Sequence, residues 1–203
     1  YTYRVWEDAD ATRYEANQIS NTEVVNTNLH AEDGVANVNV VKELQGRPWN
    51  DNDKFYFKIV PYEDDGTIYH NQGAYGTDAN GNKITDPANV PMPATGNEIQ
   101  ETDKNKVQVG AIGRNVGFDS IEFTTAQVDK DQTAEYYYKV YEVYDASGTS
   151  LDDATNHTGK KNGIAYAGEV DSDFLGLGST FKPTEHTLRI VVSSDSNGKI
   201  TTD

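Results

Sequence analysis

The sequence contains no cysteine, which excludes disulfide bonds and thiolate metal sites. Basic residues are few, with 17 Lys and Arg against 33 Asp and Glu and a formal net charge of −16. This charge argues against nucleic acid and anionic membrane as partners. No apolar run approaches the roughly 18 to 20 residues that a membrane-spanning helix needs. Together with the richness in Asn, Asp, Thr and Gly, the lack of cysteine favours a protein exported by a bacterium that does not rely on disulfides.

Short alternating segments separated by turn sequences predict an all-β protein, an immunoglobulin-like or Greek-key β-sandwich. The turns include 64–66, 78–81 and 195–198, where Asn and Gly tolerate the positive φ of tight hairpins. Thirteen tyrosines and six phenylalanines supply bulky core material. Long loops are expected at about 64–105 and 146–162. The predicted strands are 1–6, 22–28, 35–44, 54–62, 106–112, 120–125, 135–144, 163–166, 187–193 and 199–202.

Two of these segments, roughly a hundred residues apart, each carry one charged residue in phase with apolar residues. Lys42 shares a face with Val38 and Val40, and Glu142 shares a face with Val140. We therefore expect both charges to face inward, where they would form a costly ion pair. In the alternative interpretation both residues are solvated, with the lysine stem lying on apolar surface.

Five groups of segments form an ordered set of motifs that covers most of the chain. They are Lys-Glu-Leu-Gln-Gly-Arg at 42–47 followed by 53–57, Phe-Asp-Ser-Ile-Glu-Phe-Thr at 118–124, Tyr-Tyr-Tyr-Lys-Val-Tyr-Glu-Val at 136–143, the pieces 163–166, 186–192 and 195–200, and Asn-Thr-Glu-Val-Val-Asn-Thr-Asn at 21–28. In this order the set resembles the pilin isopeptide-linkage domains of Gram-positive surface fibres, of the kind found in streptococcal pilin backbones. They correspond there to the opening strand, the middle strand, the strand that ends in the catalytic glutamate, the closing hairpin and the final strand.

The resemblance implies a covalent cross-link between Lys42 and Asn26, with Glu142 as the catalytic proton relay. Burial disfavours the lysine ammonium and favours a protonated carboxyl, so a neutral amine can attack the Asn carboxamide. The phases of the competing lysines, Lys54 and Lys139, place them outward. The reaction is self-directed and single-turnover, so the protein is not expected to be an enzyme, and no cofactor or metal is expected.

The order of the motifs has one anomaly, because the Asn strand ends the family domain but precedes Lys42 here. We therefore expect residues 1–28 to complete a preceding module and residues 29–203 to form a sandwich completed by a neighbour. Lys42 and Asn26 would then each react with a partner in a neighbouring module. In a less favoured alternative, residues 1–7 are themselves the glutamate strand of a preceding module.

These features predict a structural module of an extracellular, cell-wall-attached surface fibre or pilus. Its partners would be copies of itself or tandem modules, with a host or surface ligand also possible, and without membrane insertion. The alternative is an adhesive or carbohydrate-binding sandwich that uses the loop 69–103. The histidines offer no close metal-ligand spacing, and acidic turns such as 50–53 are expected to be plain turns rather than Ca²⁺ loops. The four histidines are His30, His70, His157 and His186.

Overall fold

The structure is a computed structural model that describes residues 34–43, 48–103, 113–151, 160–161, 164–165, 168–170 and 181–203. These residues form antiparallel strands and one short 3-10 helix, Pro87–Asn89, so the prediction of an all-β protein is confirmed. No helix in these ranges is long and apolar enough to cross a membrane. The strands are β1 (Gly34–Ala36), β2 (Asn39–Glu43), β3 (Tyr56–Pro61), β4 (Gly76–Thr77), β5 (Ile99–Glu101), β6 (Gly113–Gly117), β7 (Ile121–Phe123), β8 (Thr133–Val143), β9 (Lys160–Lys161), β10 (Ile164–Ala165), β11 (Gly168–Val170), β12 (Phe181–Pro183), β13 (Glu185–Ser194) and β14 (Ile200–Thr202).

The largest sheet is arranged around β8, whose run of tyrosines and valines favours extended backbone. Its strand order is β14-β13-β8-β3-β5, with the short β4 also paired to β8. We call this set the central sheet. β13 pairs with β8 from Glu185 to Ser193, and β3 pairs with the other edge of β8, where Phe57 is opposite Glu142.

Residues 34–43 and 113–123 form a second unit, which we call the ribbon. β1 pairs with β7 and β2 pairs with β6, with Ala36 opposite Ile121 and Asn39 opposite Gly117. Two residues of one strand therefore oppose three of the other, which defines a β-bulge between β6 and β7.

The bulge keeps both halves of the ribbon facing the core. Phe118 and Ile121 lie on either side of it, an odd number of residues apart, yet both are buried. In the opposite strand the side chains alternate without a break, so Val38, Val40 and Lys42 all point the same way. The inward direction of Lys42 thus follows from the burial of Val38.

The ribbon and the central sheet contribute to one hydrophobic core. Phe123 from the ribbon contacts Tyr136 from β8, with ring centroids 5.5 Å apart. Tyr138 is fully buried and satisfies its hydroxyl by donating to the carbonyl of Pro91 at 2.8 Å. Other members of the core are Val38, Phe57, Ile59, Val116, Phe118, Ile121, Val140, Ile190 and Val192.

The predicted strands agree with the structure where it describes them, but the short strands β4, β5, β6, β9, β11 and β12 were not predicted. β6 was not predicted, because Gly113, Arg114, Asn115 and Gly117 hide the alternation that Val116 alone would indicate. The predicted strands 1–6, 22–28 and 106–112 lie outside the described residues. The expected loop at 64–105 contains β4, β5 and the 3-10 helix.

The buried tyrosines predict a loss of stability in alkali. Desolvation raises the pKa of Tyr136 to about 12, and desolvation with the nearby Glu135 carboxylate raises that of Tyr137 to about 12. The unfolded chain ionises these phenols near 10, so the free energy of unfolding should fall as pH rises from about 10 towards 12. Urea unfolding at stepped pH, with absorbance of tyrosinate, measures this fall. Tyr136→Phe should reduce the slope above pH 10, and an unchanged slope would contradict the assignment.

Candidate cross-linking site

A lysine and a glutamate meet inside the protein at the boundary between the ribbon and the central sheet. Lys42 Nζ donates to Glu142 Oε2 at 2.9 Å. The exposed fractions are 7% for Lys42 and 4% for Glu142, so water reaches neither group appreciably. The prediction that both face inward is confirmed. Their roles in a cross-link remain a proposal.

Each partner is held by the pairing of its own strand. Lys42 is near the end of β2, opposite Arg114 in β6. Glu142 is the penultimate residue of β8, opposite Phe57 in β3. Because side chains alternate along a strand, a slip of one residue in either pairing would turn one charge outward.

Aromatic rings shield the amine of Lys42. Its Nζ lies 4.8 Å from the centroid of the Phe55 ring, and Trp49 packs edge-on against the same ring at 5.7 Å. Phe55 is fixed by Thr102, whose hydroxyl accepts from the Phe55 N–H at 3.2 Å and whose N–H donates to the Phe55 carbonyl at 2.9 Å. These two bonds fix the backbone of Phe55, and its side chain is almost fully buried beside the amine.

Arg114 is a part of the site that the sequence did not reveal. Its guanidinium lies 4.4 Å from the Trp49 ring and donates to the carbonyls of Asp53 and Asn50, both at 3.1 Å. It is buried and in register with Lys42. Arg114 therefore places a second basic side chain directly across the ribbon from Lys42. Arg114 could have been recognised from the sequence only if β6 had been predicted, because the pairing of β6 with β2 brings it beside Lys42.

The acidic turn at 50–53 supports this arrangement. Asp53 is buried, and its Oδ2 accepts the backbone N–H of Asn50 at 2.8 Å, while Asn50 Oδ1 accepts that of Asn52 at 2.9 Å. These contacts are those of a self-closed turn. Across the described part of the chain, no three Asp, Glu or His side chains gather as a possible metal site.

The competing lysines point away from the core, as predicted. Lys54 is exposed and pairs with Glu101 at 3.0 Å, and Lys139 pairs with the surface Glu185 at 2.9 Å. Asn26, the predicted partner of a lysine, lies outside the described residues.

A tyrosine of the 69–103 loop packs on the protein itself. Tyr69 stacks on Tyr137 with ring centroids 4.3 Å apart, and Tyr62 packs edge-on against Tyr69 at 6.2 Å. Tyr137 in turn donates its hydroxyl to the carboxylate of Glu135. This face of β8 is therefore covered by a stack of rings.

Comparison with known proteins gives no match: no family model, no curated protein and no solved structure matches the chain. The function must therefore be argued from the geometry of the site and from the sequence motifs.

The buried pair can exist in two forms that differ by the position of one proton. In the charged form, Lys42 is an ammonium and Glu142 a carboxylate, both deprived of water at high cost. Transfer of the proton along the 2.9 Å hydrogen bond gives a neutral amine beside a carboxylic acid. The amine is then a nucleophile, and the acid can donate a proton to a leaving group.

The pair should contribute to stability only while both partners are present. In an Asn26→Ala background, which cannot form the proposed amide, Glu142→Ala leaves a buried ammonium without its carboxylate. We expect a loss of about 3 to 5 kcal/mol in the free energy of unfolding, measured by urea titration. Lys42→Met with Glu142→Leu should recover most of that loss.

Glu101→Ala is the matched control, because it breaks an exposed lysine–glutamate pair of similar length. Exposed pairs contribute little, so its effect should be much smaller. Equal effects of Glu142→Ala and Glu101→Ala would show that burial does not distinguish the two pairs.

Proposed function

We propose that this chain is a structural module of an extracellular bacterial surface fibre or pilus, locked by a self-formed amide bond between Lys42 and Asn26. The observation that carries the proposal is the buried pair of Lys42 and Glu142 at 2.9 Å, enclosed by aromatic rings. An ion pair in this position is an expensive way to stabilise a core. A reaction of the Lys42 amine would explain why this costly pair is present in the core.

The proposed reaction exchanges one C–N bond for another. The neutral amine of Lys42 attacks the carboxamide carbon of Asn26, while the protonated Glu142 hydrogen-bonds the carboxamide oxygen. The new C–N bond forms, the bond to the carboxamide nitrogen breaks, and ammonia departs with protons relayed by Glu142. Starting from the ammonium and the carboxylate, the products are a secondary amide, an ammonium ion and the regenerated carboxylate.

The enclosure of the pair supports a single self-directed reaction. Phe55 and Trp49 restrict access to the amine, and proximity in a folded protein supplies most of the acceleration that such a reaction needs. The fold is proposed as an immunoglobulin-like Greek-key sandwich whose two faces are the ribbon and the central sheet. An amide that ties its strands would resist thermal and mechanical unfolding. The sequence motifs support the setting in a Gram-positive surface fibre.

Intact mass under denaturing conditions tests the proposed bond. Each amide formed releases one ammonia, so the covalent species should weigh about 17 Da less per bond than the unreacted chains. The loss should occur in monomers or in oligomers, and it should disappear in Lys42→Arg, Glu142→Gln and Asn26→Ala.

Lys54→Arg is the control, because that lysine lies at the surface beside Glu101 and should not affect the mass loss. If every species of the unsubstituted protein has its full mass, the proposed amide bond is refuted. Retained mass loss in Glu142→Gln would refute the relay role of Glu142.

A further inference from the structure

A polar cavity of about 500 Å³ lies between the segment 78–91 and the turn 124–128, with Tyr136 of β8 at its base. We call it the loop cavity. Its volume is within the range of about 300 to 1,000 Å³ that small-molecule sites occupy. The polar residues that line it are Asp78, Lys83, Thr85, Asn89, Gln127 and Tyr136.

Local hydrogen bonds shape one wall of the loop cavity. Asp78 Oδ1 accepts the backbone N–H groups of Asn80 at 2.9 Å and Asn82 at 2.8 Å, which closes the turn that follows β4. The 3-10 helix begins where Asp86 accepts the backbone N–H of Ala88 at 2.9 Å. This wall is therefore formed by the chain itself, without the help of a ligand.

The other wall contains a carboxamide whose orientation is determined. Gln127 Oε1 accepts the backbone N–H of Thr124 at 2.9 Å and its hydroxyl at 3.0 Å. A backbone N–H can only donate, so the carboxamide oxygen faces Thr124 and the amide nitrogen points elsewhere. Among the residues that the structure describes, none accepts a hydrogen bond from Gln127 Nε2. Two N–H donors therefore remain on a side chain that lines the cavity.

Tyr136, at the base, differs from the two tyrosines that follow it in β8. Tyr138 donates to the carbonyl of Pro91 at 2.8 Å, and Tyr137 donates to the carboxylate of Glu135. Tyr136 is only 3% exposed, yet its hydroxyl has no hydrogen-bond partner in the described part of the chain. A buried hydroxyl without a partner is unfavourable, and it is a place where a polar ligand atom can bind.

The hydroxyl of Tyr136 is directed towards the cavity. Its ring packs against Phe123, with ring centroids 5.5 Å apart. The unpaired oxygen is not sealed within the protein, so it borders the cavity. Desolvation, and after it the Asp78 carboxylate, raise the pKa of Tyr136 to about 12. A charge acts on a phenol in this way only at short range, and Asp78 lines the same cavity.

The lining suits a ligand with several hydroxyl groups and no net charge. It offers two hydroxyls, two carboxamides, one carboxylate and one ammonium. The formal charges of Asp78 and Lys83 cancel, so the cavity does not select an ion of either sign. Ile84, Val90 and Pro91 add a small apolar surface. A sugar ring has the matching chemistry, with hydroxyls around its edge and C–H groups on its faces, whereas an apolar ligand would leave the polar groups unpaired.

We propose that the loop cavity binds one residue of a neutral glycan, whose hydroxyls contact the Tyr136 phenol at the base and the Gln127 amide at the wall. Thr85 and Asn89 are exposed, so the rim is open to solvent and a glycan can enter. The site does not depend on the proposed amide bond, because Tyr136 is six residues from Glu142 along β8, a distance of about 20 Å. A fibre module with this site would hold a glycan as well as carry load.

An NMR titration of the isotope-labelled full chain tests the site. The probes are the methyl glycosides of glucose, galactose, mannose and N-acetylglucosamine, with glycerol as a control that carries hydroxyls without a sugar ring. At least one glycoside should give saturable shifts of amide signals, concentrated at residues 78–91, 124–128 and 136. Absence of saturable shifts with all the glycosides, shifts concentrated elsewhere, or equal shifts with glycerol would overturn the proposal.

Two variants test the contacts with the sugar. Tyr136→Phe should weaken binding of that glycoside about three- to tenfold, the loss typical of one neutral hydrogen bond. Gln127→Glu keeps an acceptor for Thr124 but removes the amide donors, so it should weaken binding by a similar factor. Tyr141→Phe is the matched control, because it removes a tyrosine hydroxyl from the opposite face of the same strand. Unchanged affinity in Tyr136→Phe, or an equal loss in Tyr141→Phe, would contradict the proposed contact.

Stability without sugar separates a ligand contact from a structural one. Tyr136→Phe removes a hydroxyl that has no partner in the described residues, so the free energy of unfolding at neutral pH should stay unchanged or rise. Tyr138→Phe breaks the bond to the Pro91 carbonyl and should lower it. Urea titration measures both. A loss in Tyr136→Phe as large as that in Tyr138→Phe would show that the hydroxyl serves the fold, and would overturn its role in binding.

Discussion

A lysine ammonium and a glutamate carboxylate in contact, each almost closed to water, require the surrounding structure to hold them in place. Removal of such charges from water is costly, and their attraction compensates only when their geometry is maintained. Lys42 and Glu142 come from strands a hundred residues apart, so the pair depends on long-range strand pairing. A slip of one residue would expose either group. The pairings of β2 with β6 and of β8 with β3 are therefore as important to the site as the two charges are.

The neighbours of the pair determine what it can do. Phe55 and Trp49 exclude water, and the guanidinium of Arg114 adds a positive charge opposite Lys42 in the ribbon. Arg114 itself donates to carbonyl oxygens of the 50–53 turn and lies against the Trp49 ring, so the turn, the ring and the guanidinium hold one another in place.

The sequence by itself determined the all-β class, the strands around 35–44, 54–62 and 135–144, and the inward phase of Lys42 and Glu142, because alternation with a period of two is a local property. The tertiary structure decided which strands pair and in which register. It placed the bulge between β6 and β7 and formed the unpredicted strand that carries Arg114. These features arise from contacts between residues far apart in the chain, whose selection depends on how whole faces pack, and no local pattern encodes that choice.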